Sequence, residues 1–166
     1  PKVSLDAGWH PPIINTLEDT GLTKLNIAEL ILKIVYNGGD MTGHMVAKII
    51  KLPFGGVLDG VVDFLKHEQL IDYRGSTGLG DASYRYVLTA KGSERAHEAL
   101  SRSQYAGAAP VPLDKYIEAL NDQAAHRPPV HQEQLRGLMT NLVVTDEMLN
   151  KVGPAVNSGQ AIFLYG

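Results

Sequence analysis

Two carboxylates, Asp59 and Asp63, stand four residues apart in the stretch FGGVLDGVVDFLKHEQ. If this stretch is a helix, its pitch brings the two side chains together on one face, as paired carboxylates for acid–base chemistry would require. On an exposed helix face, however, such a pair is more often a solvated acidic patch. We therefore predict an acidic contact surface here and no catalytic residue.

A glycine-rich stretch, GSTGLGD over residues 75–81, has the composition of a nucleotide-binding loop. It lies between two predicted strands, whereas a nucleotide loop follows a strand and opens a helix. The spacing of Gly75, Gly78 and Gly80 also departs from the G-x-G-x-x-G motif. We interpret the stretch as the flexible tip of a hairpin, which is a candidate contact with a partner.

The sequence offers little for metal or thiol chemistry. Its six histidines contain no pair at i, i+4 on one helix and no H-E-x-x-H motif, and there is no cysteine. No Ser-centred nucleophile elbow is present either. We therefore predict no metal site and no catalytic residue, and the lack of cysteine fits a reducing cytoplasm.

The 15 basic and 18 acidic residues leave a net charge of −3, so the whole chain has no strong attraction to nucleic acid or to an anionic membrane. No apolar run approaches the ~20 residues that span a bilayer, and no basic-then-apolar leader is present. We expect no membrane partner and a cytoplasmic location. The first residue, Pro1, and the apolar end AIFLYG suggest a fragment of a longer protein.

The elements that would position these residues begin after an extended arm over residues 1–22, which has a turn of helix near TLEDTG. The next stretch, NIAELILKIVYNGG, has one apolar stripe at helical spacing. We predict a helix here, with Asn26 as its N-cap and the pair Gly38 and Gly39 at its end.

A short second helix follows in DMTGHMVAKIIKLP, capped by Asp40 or Thr42. We expect four apolar side chains to face inward: Met45, Val46, Ile49 and Ile50. A third helix over residues 54–69 has five apolar residues on its buried side: Val57, Leu58, Val61, Val62 and Leu65.

The period of the sequence changes after the third helix. LIDYRG and SYRYVLT alternate like the two strands of a hairpin, and KGSERAHEALSRS, with Thr89 as its N-cap, is a closing helix. Three helices, a hairpin and a closing helix in this order are typical of a winged helix-turn-helix. We predict a winged-helix domain over residues 23–103, in a fold that is mainly α with a small β component.

Residues 104–130 form a predicted linker with one helix. The linker begins with QYAGAAPVP, whose prolines stiffen it, and continues as the helix LDKYIEALNDQAA. The apolar side of this helix consists of Tyr116, Ile117 and Leu120.

Residues 131–166 are predicted as two helices and a strand. HQEQLRGLMTNL is the first helix, and TDEMLNKVGPAVNSG is the second, with Thr145 as its capping residue. The strand AIFLYG ends the chain.

The last helix, the NSG turn and the strand resemble the approach to the phosphate-binding loop of AAA+ ATPases. Gly166 would match the first glycine of the G-x-x-x-x-G-K-[ST] motif, and residues 131–166 would be the incomplete start of the nucleotide-binding domain. The resemblance to the N-terminal region of a group of bacterial AAA+ ATPases covers nearly the whole chain, and includes TLEDTGL, the winged-helix stretch, YAGAAPVPLDKY and VGPAVNSG.

This resemblance implies that the full-length protein binds ATP and Mg²⁺ and acts as an oligomeric remodelling ATPase. The sequence stops before the loop whose lysine and Ser/Thr hydroxyl hold phosphate and Mg²⁺. We therefore predict no cofactor and no ATP hydrolysis for residues 1–166 themselves. Their role would be that of a regulatory region, which recognises a protein substrate or adaptor or which self-associates.

DNA binding is the alternative, since the third helix of a winged helix enters the major groove in many regulators. From Leu25 to Leu100, however, eight basic and nine acidic residues leave a net charge of −1, which is poorly suited to phosphate. We favour a protein partner over a DNA-binding regulator of transcription. The predicted contact surface joins the third helix to the hairpin and consists of Asp59, Asp63, Lys66, Arg74 and Arg85.

Overall fold

The computed structural model describes residues 10–76, 78–125 and 128–163. They fall into two compact units, one over His10–Ala119 and one from Leu120 onward. The chain is mainly helical with one small antiparallel sheet, which confirms the predicted fold class at this level. No helix in the described part is long and apolar enough to cross a membrane.

The described strands all lie in the first unit, whereas the described part of the second unit contains only helices. An irregular helical segment, Phe54–Leu58, leads into the fourth helix, and a short helical turn, Asp81–Ser83, precedes the third strand. In chain order the described elements are α1 (Leu17–Thr20), α2 (Lys24–Gly38), β1 (Met41–Thr42), α3 (Gly43–Ile50), α4 (Asp59–His67), β2 (Ile71–Ser76), β3 (Tyr84–Leu88), α5 (Ala90–Arg102), α6 (Leu113–Ala125), α7 (Gln132–Leu138) and α8 (Asp146–Asn157).

Helix α2 is the centre of the first unit, and its predicted apolar stripe is buried. Its N-cap is Thr23, so the prediction of Asn26 as the cap is wrong. Asn26 is instead at position N3 of a capping box. Its side chain accepts a hydrogen bond from the Thr23 N–H at 3.2 Å, and Thr23 Oγ1 accepts one from the Asn26 N–H. Gly39, at φ 72°, ends the helix as predicted.

The short helix α3 contacts the core along one narrow edge. Thr42 is its N-cap, which was one of the two predicted, and Val46 and Ile50 are buried. Met45 and Ile49 are exposed, so the prediction that they face inward is wrong. Each precedes a buried residue by one position, which turns its side chain by about 100° away from the core.

The sheet has the strand order β1–β3–β2, with both pairs antiparallel. The hairpin of β2 and β3 is confirmed, with Tyr73 opposite Tyr86 and a register shift before Ser76. Strand β1 was not predicted, because two residues carry no periodic signal. It lies on the other side of β3, where Met41 is opposite Tyr86.

The segment after α5 is held against the rest of the first unit by hydrogen bonds to its backbone groups. Lys33, a buried residue of α2, donates from Nζ to the carbonyl oxygens of Ser103 (3.1 Å) and Tyr105 (3.2 Å). The Ala109 N–H donates to the Ile50 carbonyl oxygen at 2.8 Å. The chain between α5 and α6 therefore follows a defined path over the first unit.

Helix α6 has the bounds that the sequence predicts, but its apolar side is not covered in the described part of the chain. Tyr116, Ile117 and Leu120 are 54%, 47% and 46% exposed, whereas Ala119 is buried. Lys115, on the same side as Ala119, donates from Nζ to the Asp19 carbonyl oxygen of the arm. The helix thus meets the arm through a neighbouring face and leaves the predicted stripe half exposed.

The second unit packs α7 against α8 around three buried side chains: Leu135, Leu149 and Val152. Thr145 caps α8 as predicted, with its Oγ1 accepting from the Met148 N–H. Residues 161–163 form no strand, contrary to the prediction, and residues 164–166 lie outside the described part. A strand is stable only when a neighbouring strand pairs with its backbone, and no described strand lies beside these residues.

Candidate protein-interaction surface

The start of α4 is shaped by a close approach of the arm. Gly56 has φ 81°, and a Cβ added there would lie 2.3 Å from the Asn15 carbonyl oxygen. Asp59 Oδ2 accepts from the Gly56 N–H at 2.9 Å, and Oδ1 accepts from the Gly60 N–H at 2.7 Å. Asp59, the first residue of α4, therefore accepts hydrogen bonds from two backbone N–H groups around the start of the helix.

Asp63 lies one turn further along α4 and is exposed. Its charge acts on Tyr86, a buried residue of β3 whose hydroxyl donates to the Asp81 carbonyl oxygen at 2.8 Å. Burial, followed by the charges of Asp81 and Asp63, raises the pKa of Tyr86 to about 12. Asp63 is thus exposed to solvent and close enough to the hairpin for its charge to act on Tyr86.

Lys66 joins α4 to the hairpin through an aromatic ring. Its Nζ lies 4.7 Å from the centroid of the Tyr73 ring, a cation–π contact. The Tyr73 ring in turn lies 5.2 Å from that of Tyr84, with the planes tilted by 36°. We call the group of Asp63, Lys66, Tyr73 and Tyr84 the α4–hairpin surface.

Arg74 and Arg85 belong to the other face of the hairpin. Neighbouring residues of a strand point to opposite faces, so Arg74 is turned away from Tyr73, and Arg85 from Tyr84 and Tyr86. Arg85 is held by an ion pair between its Nε and Asp40 Oδ1 at 3.3 Å. Of the five predicted contact residues, the structure therefore groups Asp63 and Lys66 and separates the two arginines from them.

The remaining predicted site residue, Gly166, lies outside the described residues. Within the described ranges no group of three or more acidic or histidine side chains is arranged to hold a metal ion. The hydrogen bonds from Gly56 and Gly60 to Asp59 were not predicted from the sequence, because Gly56 has no side chain that would signal a capping box.

No family model matches the chain, and no match is found among curated proteins or among solved structures.

Proposed function

We propose that residues 23–103 are a winged-helix module that recognises a protein. The order of elements supports this: a long helix, a short strand, two helices, a hairpin and a closing helix. The sheet order β1–β3–β2, with the two-residue β1 beside the hairpin, has the arrangement expected of a winged helix.

The observation that carries the choice of a protein partner is the chemistry of α4. Its N-terminal end is covered by the Asn15 carbonyl and by the Asp59 carboxylate. Its exposed side presents Asp63, and its one cation there, Lys66, lies over the Tyr73 ring. Affinity for DNA comes largely from cations on phosphate, whereas aromatic side chains with a few charges suit a protein interface.

We further infer, from the resemblance in sequence alone, that this module is the N-terminal regulatory region of a cytoplasmic bacterial AAA+ ATPase. It would recognise a protein substrate or adaptor, or mediate self-association, while ATP and Mg²⁺ are bound by the nucleotide-binding domain. The full-length protein is then expected to hydrolyse ATP, and residues 1–166 alone to show no rate above background.

The DNA alternative is tested with a fluorescent duplex and the purified chain. We expect no change of anisotropy at ~50 mM salt, and we expect Asp63→Lys, which replaces a negative charge of α4 by a positive one, to gain weak binding. Tight binding of the unmodified chain that falls steeply with added salt would establish the DNA-binding alternative.

The protein-recognition proposal is tested by placing a photo-crosslinking amino acid at Tyr73 and, as a control, at Ser101 on α5. We expect a defined protein adduct, in cells that express the full-length protein, from position 73 and not from position 101. Lys66→Glu in the same chain should abolish that adduct. Adducts that are equal at both positions, or that persist in Lys66→Glu, would contradict the proposed surface.

A further inference from the structure

A second surface of the first unit is an open groove on the other side of α4. It is bounded by the first half of α2, the end of α4 and the start of α5, and its volume is about 440 Å³. Its floor is apolar and includes Leu32, Leu65 and Phe64. This volume falls within the range of clefts that hold small ligands.

The rim of the groove carries more carboxylates than cations: Glu29, Glu68, Glu94 and Glu98 against Lys91 and Arg95. Two of the carboxylates are paired, Glu98 with Arg95 at 2.8 Å and Glu29 with Arg102 at 2.6 Å. Lys91 Nζ donates to the Glu68 carbonyl oxygen at 2.8 Å. Even when Arg102 is counted, the four carboxylates outnumber the three cations by one, and Glu94 is exposed and makes no ion pair among the described residues, so the groove presents net negative charge to a ligand.

An exposed leucine stands at the edge of this floor. Leu25, at the start of α2, is 63% exposed and lines the same groove as the half-buried Phe64. An apolar side chain inserted beside Leu25 would remove apolar surface of both partners from water, which is favourable by roughly 25 cal/mol per Å². Cations flanking that side chain would meet the carboxylate rim.

We propose that this groove binds a peptide segment of another protein that presents a bulky apolar residue flanked by arginine or lysine. The charge of the rim selects the cations, and the apolar floor selects the anchor. This inference does not rest on the α4–hairpin surface, because no residue of that surface lines the groove.

The experiment uses two synthetic ten-residue peptides, one with leucines separated by arginines and one with the same leucines separated by glutamates. Each is titrated into the ¹⁵N-labelled chain and followed through amide chemical shifts. We expect the arginine peptide alone to shift residues 25–32, 64–70 and 91–98, with saturation, and the shifts to weaken as salt is added.

Three variants make the result specific. Glu94→Lys and Leu25→Ser are exposed changes, and each should weaken binding by about tenfold, through lost charge complementarity and lost apolar contact respectively. Glu118→Lys, at an exposed position of α6 that does not line the groove, alters the net charge as much as Glu94→Lys does, yet should leave the affinity unchanged. Equal binding of the glutamate peptide, equal loss in Glu118→Lys, shifts centred elsewhere, or no shift at millimolar peptide would each overturn the proposal.

Discussion

At the scale of single residues, Gly92 lies where no larger residue fits. A Cβ added there would be 1.8 Å from the Leu70 carbonyl oxygen. That oxygen also accepts from the Thr89 N–H at 3.1 Å, so the two backbones cannot separate without losing this bond. We expect Gly92→Ala to lower the free energy of unfolding by about 3 kcal/mol, measured by urea denaturation.

Gly60 provides the matched control for Gly92. It is exposed in α4, and an added Cβ meets nothing within 4 Å. Gly60→Ala should raise the free energy of unfolding by roughly 0.5 kcal/mol through helix propensity. A similar loss of stability in both variants would show that the approach of α5 to Leu70 is not the cause.

Tyr86 makes stability depend on pH in the alkaline range. Its pKa is raised to about 12, mainly by burial, from the value of about 10 in an unfolded chain. The folded state therefore holds the proton more tightly, and the resulting contribution to stability is complete below pH 10 and is lost as the pH rises towards 12. We expect Tyr86→Phe to remove this part of the pH dependence, on the order of 2 kcal/mol, in thermal unfolding.

The unmodified chain, measured over the same pH range, is the reference for Tyr86→Phe. A profile in which the wild type and Tyr86→Phe lose stability in parallel over this range would contradict the assignment to Tyr86.

At the scale of elements, the motif that ends α4 contains a residue with a strained backbone. Gln69 has φ 59°, and its N–H donates to the Lys66 carbonyl oxygen while the Leu70 N–H donates to that of Leu65, both at 2.9 Å. This is a Schellman motif, in which glycine is the favoured residue at the left-handed position.

Replacing Gln69 by glycine removes this strain. Gln69→Gly should raise the free energy of unfolding by about 0.5 to 1 kcal/mol, because the relief exceeds the added entropy of the unfolded chain. Gln69→Ala deletes the same side chain and keeps the strained φ, so it should not stabilise. Both are compared by urea denaturation, and stabilisation by alanine as well would point to the glutamine side chain instead.

At the scale of the whole molecule, the two units differ greatly in the size of their cores. The first buries much of α2, α4 and the hairpin, whereas the second buries three side chains between α7 and α8. Leu138, Leu142 and Val143 of the second unit are largely exposed. We expect amide hydrogens of α2 to exchange at least about a hundredfold more slowly than those of α7 and α8 in native-state hydrogen exchange. Comparable protection in the two units would contradict this difference.

Elements with strong local signals were predicted from the sequence. The spacing of apolar residues predicted the buried stripe of α2, the bounds of α6 and the hairpin. Side chains that hydrogen-bond to nearby backbone N–H groups predicted the caps Thr89 and Thr145. Of the candidate site, the position of Asp59 and Asp63 one turn apart on the same helix followed from helical spacing. These features need only neighbours within a few residues, so the order of the residues contains the required information.

Other features depend on contacts between distant parts of the chain. The spacing of apolar residues predicts an apolar side of α3 that includes Met45 and Ile49, but it does not predict how much of that side contacts the core. The apolar side of α6 is likewise predicted by spacing, whereas its half exposure is not. The contact of Lys66 with Tyr73, and the separation of Arg74 and Arg85 from both, required the hairpin to be docked on α4. The sequence by itself thus determined most of the helices, the hairpin and the acidic character of α4, but the predicted helix over residues 54–69 is irregular over Phe54–Leu58. Tertiary structure alone decided which faces are covered, because burial is set by partners that are far apart in the chain.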